Sequence, residues 1–442
     1  MNRNVRFALT LLLLPAAVLT VRAQSPSGEW TLRQCIDYAR QNNIQVQSTE
    51  LARQSSEVDL QQARAARVPS LSFSTGQNVV HQKKEQDGNF ASNGTYSGNY
   101  ALNANITIYG GGKLQNSLSQ QRVIGRTREL EVSVAQNDIE IAVTQAYLNI
   151  LYANESVKTN RQTVESSEAQ MVRSKALLEA GSISQSDYAQ MESQYSDDRY
   201  QLTVSETNLA QYRLQLKQLL ELDLGASFDV AFPALDSADV LAPIPSLDEV
   251  YRTSLSVMPE MESGRLGIES SRLGEKIAAA DGRPTITANA SVGTGNISGT
   301  NYSFYNQLNN KLNESAGITL SVPIFNNRKA KSSVAKARIA TLQAQLDLTN
   351  TEKTLLKTVE SLYQDAVSAQ SRYRAATDKV QSSELSYSLV QEQFNAGMKN
   401  TVELLTEKNN YLAAQQEQIQ AKYQAVLSLR LLNFYRNEPI EL

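Results

Sequence analysis

The chain has 442 residues, with 42 Lys and Arg against 45 Asp and Glu and a formal net charge of −3, a balance that leaves no basic footprint for nucleic acid. A single His, a single Cys and a single Trp supply few of the side chains from which metal and redox centres are made. Only 10 prolines, clustered rather than spread, predict long helices.

In chain order, the first residues have the grammar of a secretion signal over residues 1–23. Arg3 and Arg6 precede an apolar stretch at 7–21, and Val21 and Ala23 suit cleavage before Gln24. Removing Arg3, Arg6 and Arg22 moves the charge to about −6. No later run approaches the roughly 18 apolar residues of a membrane helix, so any membrane crossing by the mature chain falls to β-strands. Cys35 has no second cysteine to pair with and no lipobox directly before it. It reads as a small apolar residue on the inner face of the first helix.

A duplication organises the rest. Arg67-Val68-Pro69 is echoed by Arg283-Pro284, Ile108-Tyr109 by Ile324-Phe325, Tyr147 by Tyr363, Gly181 by Gly397 and Tyr195 by Tyr411, all at one offset of about 216 residues. The first structural repeat is set at 24–222 and the second at 246–434. Between them, 223–245 carries Pro233, Pro243 and Pro245 and reads as a linker or equatorial segment. A short tail follows at 435–442.

Each repeat follows one plan. A helix over 31–66 stops before Pro69, whose ring disfavours helix in the preceding residue, and its counterpart over 247–280 stops at Asp281-Gly282-Arg283-Pro284. Strands are then predicted at about 70–76 and 100–109 around a polar loop at 77–99, and at about 285–297 and 314–325 around a loop at 298–313. Tyr100, Leu102, Ala104, Ile106 and Ile108 alternate with Asn103, Asn105 and Thr107, so one face is apolar and the other polar. Ile286, Ala288, Ala290 and Val292 alternate with Thr285, Thr287, Asn289 and Ser291 in the same way. That pattern is the signature of a transmembrane β-barrel, although a sheet packed on helices shares it. Four strands are too few for a barrel when the smallest have about 8, so several chains must share one.

Residues 113–180 contain no proline; about 68 residues at 1.5 Å each span roughly 100 Å, and 328–396 repeats the feature. Each long helix turns at a glycine, at 181–184 and at 397–400, with Ser184 or Ser186 and Asn400 or Thr401 available to cap the returning helix. A rod with a β tip results, for which a structural coiled-coil or surface stalk without a pore is the competing reading. No H-E-x-x-H or G-x-S-x-G pattern is present, and Gly110-Gly111-Gly112-Lys113 reads as a flexible joint rather than a phosphate loop. Neither enzymatic activity nor a cofactor or metal is expected.

Taken in order and duplicated, several motifs resemble the outer membrane efflux protein (TolC) family over nearly all of the mature chain, residues 32–433. They are Leu32, Ala39 and Asn43, the Ala66-Arg67-Val68-Pro69 and Gly282-Arg283-Pro284 stops, Ile108-Tyr109-Gly110-Gly111-Gly112, Val322-Pro323-Ile324-Phe325 and the two Ala-Gly tips. The resemblance implies a mainly α protein with membrane β: a duplicated helix-strand-strand-helix unit, long α-barrel helices, and four strands per chain in a 12-stranded barrel closed by a homotrimer. It also implies a passive exit duct of a tripartite efflux or type I secretion system, set in outer-membrane lipid. The partners implied are a periplasmic adaptor (membrane fusion) protein and an inner-membrane transporter. The tips Ala180, Gly181, Ser182, Ile183 and Ala396, Gly397, Met398 match adaptor-contact positions. Phe394, Lys399 and Glu403 match positions that constrict the periplasmic entrance and Asp187 lies correspondingly after the first tip, while Thr406 stands where some members carry a second acidic residue. Ordinary helix-surface charge is the competing reading for Asp187, Lys399 and Glu403.

Overall fold

The computed structural model describes residues 29–86 and 89–442; the signal peptide expected at 1–23 lies outside the described residues. The first repeat runs α1 (Leu32–Asn42), α2 (Ile44–Ala65), β1 (Ser70–Gln86), β2 (Asn89–Gly110), α3 (Lys113–Glu179) and α4 (Gln185–Leu219). A one-turn helix, α5 (Ser237–Val240), lies in the connecting segment. The second repeat runs α6 (Leu247–Val257), α7 (Pro259–Ala280), β3 (Thr285–Ile297), α8 (Phe304–Asn310), β4 (Asn313–Ser321), α9 (Lys329–Asn395) and α10 (Thr401–Tyr435). Apart from α8, the helices of the two repeats match in length: 11, 22, 67 and 35 residues in each.

The first helix of each repeat, expected as one piece, is two. Asn43 and Met258 interrupt it with extended backbone. Asn43 caps α2 by accepting from the Gln45 N–H at 2.9 Å, and its amide donates to the Leu219 carbonyl at 3.1 Å. Met258 precedes Pro259, which disfavours helix in the residue before it.

The strands also depart from expectation. Residues 77–99, expected as a loop, are largely strand, because β1 and β2 stay paired from Ser70↔Asn105 to Gln86↔Asn89. A two-stranded ribbon with water on both faces is polar on both faces, so composition there resembles a loop while the backbone ladder is complete. In the opposite sense, β4 ends at Ser321 rather than near 325, since Pro323 has no N–H to give a ladder. Within the expected loop 298–313 sits α8, capped by the Ser303 hydroxyl.

The sheet is antiparallel throughout in the order β1-β2-β3-β4, with β2 and β3 joining the repeats from Ser97↔Ile297 to Gly110↔Thr285. Beneath it the helices keep the same order: α2 packs on α3, α3 on α7 and α7 on α9. Farther along, α4 packs on α3, α3 on α10 and α10 on α9. The chain is therefore one element thick. Its accessible surface is 27944 Å², whereas a compact monomer of 48.8 kDa would expose about 17,000 Å².

Where the rods need a second layer, the connecting segment supplies it. Trp30 and Val230 form a parallel bridge, with the Trp30 N–H donating to the Asp229 carbonyl and the Ala231 N–H to the Trp30 carbonyl, both at 2.9 Å. The Tyr147 hydroxyl of α3 donates to the Ala231 carbonyl at 2.5 Å, and the Gln370 amide of α9 donates to the carbonyls of Val240 at 3.0 Å and Ala242 at 2.8 Å. Residues 223–245 are thus a strap across both repeats. Under it lie Trp30, Cys35, Ile36, Val143, Leu216 and Val359, all buried. Cys35 is 0% exposed, and burial pushes its thiol up to about 12.

Strand passes to helix through two residues in the left-handed region. In the first repeat these are Gly111 (φ 64°) and Gly112 (φ 87°); in the second, Asn327 (φ 50°) and Arg328 (φ 64°). A Cβ on Gly111 would stand 2.7 Å from the Arg283 Cβ, and Arg283 donates to the Gly111 carbonyl at 2.9 Å. Since left-handed backbone costs a non-glycine residue about 1–2 kcal/mol, Arg328→Gly is expected to raise stability by about 1 kcal/mol and Gly112→Ala to lower it similarly. Denaturant midpoints of the two variants check this.

Candidate functional site: the barrel wall and the helical tips

Register sorts the sheet into two chemistries. Cross-strand rows Leu71–Ala104–Ala290–Ala316 and Phe73–Leu102–Val292–Glu314 share one face, apolar but for Glu314 near the start of β4. Rows Ser70–Asn105–Asn289–Gly317 and Ser72–Asn103–Ser291–Ser315 share the other. No described helix covers the apolar face: Leu71 is 69% exposed, Phe73 67% and Ile318 74%. An apolar surface of this extent faces lipid or a partner rather than water. Exposed aromatics stand at both of its ends, Tyr109 and Phe325 on the helix side and Tyr96, Tyr302, Phe304 and Tyr305 on the other, as in the girdles of membrane barrels. No described helix is long and apolar enough to cross a membrane. β1 and β4 are the outer strands, and an open strand edge is not tolerated within a bilayer.

At the far end of the rods the two hairpins turn in the same way. Gly181 (φ 73°) and Gly397 (φ 75°) are left-handed, with nothing within 4 Å of where a Cβ would sit. The Gly181 and Ser182 N–H groups donate to the carbonyls of Leu178 and Leu177, and those of Gly397 and Met398 to Phe394 and Gln393. These bonds satisfy the last carbonyls of each long helix. Ala180, Gly181, Ser182, Ala396, Gly397 and Met398 are exposed, and Ile183 is half-buried.

Asp187 and Glu403 occupy equivalent places, three residues inside the caps Ser184 and Asn400. The Asp187 N–H donates to the Ser184 hydroxyl at 3.1 Å, while the Ser184 N–H and hydroxyl donate back to the carboxylate at 3.2 and 2.7 Å. The Glu403 N–H donates to the Asn400 side chain at 2.9 Å, and the Asn400 N–H donates to Glu403 at 3.2 Å. Each is a capping box. Lys399 adds an ion pair to Glu403 at 2.5 Å, with the two side chains 36% and 41% exposed. Phe394 sits half-buried in the last turn of α9. Hydrogen bonds from Ser184 and Thr401 hold the Asp187 carboxyl below its usual range, and those from Lys399 and the Asn400 backbone do so for Glu403. Their contribution to the tips is thus present above the ordinary carboxylate range of about pH 4 and is lost as pH falls through the lowered values. Thr401, itself buried, brings the start of α10 beside the start of α4.

A polar seam that sequence reasoning missed lies further up the rods. Lys408 of α10 donates to Asp198 of α4 at 2.8 Å with side chains only 3% and 6% exposed. Gln194 donates to the other Asp198 oxygen at 2.9 Å and exchanges bonds with Asn409. Tyr387 and Tyr411 stack at 6.0 Å, and Gln170 of α3 donates to the Tyr387 hydroxyl at 2.9 Å. The signal was present in the spacing: Asp198 falls seven residues from each of the buried Met191 and Ser205, and Lys408 four from the buried Leu404.

An exposed apolar strand face with aromatic girdles, carried on a one-layer row of rods, defines a membrane-embedded wall segment of a larger barrel. The chain belongs to the outer membrane efflux protein family, which its sequence matches over residues 35–221 and 250–435, one stretch in each repeat. It is 21% identical over 419 residues to the outer membrane protein TolC of Escherichia coli, covering 90% of this chain and 80% of that one. It is also 23% identical over 330 residues to the alkaline protease secretion protein AprF of Pseudomonas aeruginosa, covering 74% and 65%. The crystal structure of the Campylobacter jejuni CmeC outer membrane channel shares the fold at a TM-score of 0.78 and 16% identity, covering 93% of this chain and 87% of that one. Family membership places the strands in the outer membrane and the helical part in the periplasm, and makes the chain a channel protein rather than an enzyme. A pore-less stalk is not favoured, since a stalk has no use for an uncovered apolar sheet.

Proposed function

We propose that three copies close into one duct, a 12-stranded barrel continued by a tunnel of helices, which serves as the passive exit of an efflux or type I secretion assembly. The observation that carries this reading is the matched order of strands and helices in a single layer whose two edges differ. β1 with α2 forms one edge and β4 with α9 the other, so each edge meets the opposite one of the next copy, a head-to-tail contact that closes into a ring. Exposed Leu51 and Val58 on α2 and exposed Ile339, Leu342 and Leu346 on α9 supply apolar contact for it. Outer-membrane fractionation with mass measurement in detergent tests the ring. A trimer is expected, and a soluble monomer would sink the proposal.

The tips at Ala180–Ile183 and Ala396–Met398 are the proposed contacts for a periplasmic adaptor, through which an inner-membrane transporter is coupled. Their left-handed glycines and exposed side chains suit close docking of helical ends. Asp187, Phe394, Lys399 and Glu403 are proposed to ring the entrance, where carboxylates repeated by symmetry at a narrow passage favour cations. The capping boxes give Asp187 and Glu403 a structural duty as well, so Lys399 is the cleaner residue to change. Lys399→Glu is expected to raise single-channel conductance in planar bilayers; an unchanged value removes Lys399 from the entrance.

A further inference from the structure

The polar face of the sheet carries a second regularity. Inward positions alternate along each strand, from 70 to 78 on β1, 97 to 107 on β2, 285 to 297 on β3 and 313 to 321 on β4. They are occupied by Ser, Thr, Asn and Gly, with Ala101 and Ile297 the exceptions. None is Asp, Glu, Lys or Arg, in a chain of which 20% is charged. Some of the lining side chains bond one another or the backbone: Ser291 and Ser315 hydroxyls lie 2.8 Å apart, Asn103 donates to Ser74 at 3.3 Å, and the Ser70 hydroxyl donates to the Asn105 backbone carbonyl at 3.3 Å.

Barrel channels that select by charge do so with rings of ionised side chains, and lumen residues set that selectivity. We infer that the membrane section of this duct is a charge-neutral wall that passes anionic, cationic and zwitterionic polar solutes alike, leaving discrimination by sign to the helical end. The inference rests on the duct reading, which makes the polar face a lumen. A wall without fixed charge holds a passing ionised solute weakly. It suits an exit, where release matters more than capture.

The chain provides its own background for the test, because Cys35 is fully buried and its thiol stays protonated. Asn103→Cys and Ser72→Cys variants, purified in a neutral detergent, are treated with cationic and with anionic methanethiosulfonate reagents at 0.15 M salt, where screening acts over about 8 Å. Expected is a cation-to-anion rate ratio within about threefold of that for a small free thiol in the same buffer. Adding Ser291→Asp beside Asn103→Cys should raise that ratio several-fold, which shows that the probe senses wall charge. A tenfold departure in the single variants overturns the neutral wall. Reaction at Leu102→Cys in lipid vesicles, with none at Asn103→Cys, overturns the assignment of faces. Conductance of the unmodified protein is measured in parallel. Neutral labelling without conductance would remove the duct and leave the wall chemistry standing, so the two failures are told apart.

Discussion

Ala290→Arg is expected to abolish recovery of the folded assembly from the outer membrane, whereas Ser291→Arg, one residue along the same strand, leaves recovery near that of the parent. Successive strand residues point to opposite faces, so a shift of one position exchanges lipid for lumen. Ala290 is exposed on the apolar face between Ala104 and Ala316, and Ser291 lies between Asn103 and Ser315 on the polar one. An arginine facing lipid near the bilayer midplane costs about 2–4 kcal/mol, and the proposed ring would carry three of them. The direct cross-strand neighbours, Ala104 and Ala316, are small and give a long side chain no shelter. Equal recovery of the two variants by membrane fractionation would show that the face read as lipid-exposed is not.

The second large effect concerns the seam between α4 and α10. Lys408→Met leaves the buried Asp198 carboxyl without its cation, and removing one partner of such a pair destabilises by about 3–5 kcal/mol. Thermal unfolding in detergent should show a correspondingly large fall in midpoint. Adding Asp198→Leu should restore most of it, because two apolar side chains of similar volume often equal a buried ion pair. If the double variant is no better than Lys408→Met alone, then Asp198 is not the source of the loss. Gln194 would be relieved of a partner in the double variant, but it keeps Asn409.

The architecture was legible because it is written in long-range signals. A constant offset ties Arg67 to Arg283 and Gly181 to Gly397, and a duplication of that kind survives local ambiguity. Alternation at Leu102, Ala104 and Ile106 marked a strand with one wet face, since a period of two has no helical explanation. Local boundaries were harder. The ribbon beyond residue 76 is polar on both sides, so no alternation separates it from a loop. The breaks at Asn43 and Met258 lay inside helical patterns, although Pro259 was there to be weighed. At the tips, the family resemblance matched Asp187 and Glu403 to an entrance but did not reveal that each closes a capping box, which depends on where the helix begins. The Asp198–Lys408 pair was hidden because charged residues read as surface until two helices are laid side by side.

The two repeats agree in the lengths of their four rod helices and disagree in their strands: β1 and β2 have 17 and 22 residues, β3 and β4 only 13 and 9. In a ring of three, then, the tunnel is nearly sixfold while the mouth is only threefold. At about 3.4 Å per residue, β2 outruns β3 by roughly 30 Å along the strand. In the proposed ring, that difference in reach would make the rim a crown of three tall ribbons with low notches between them.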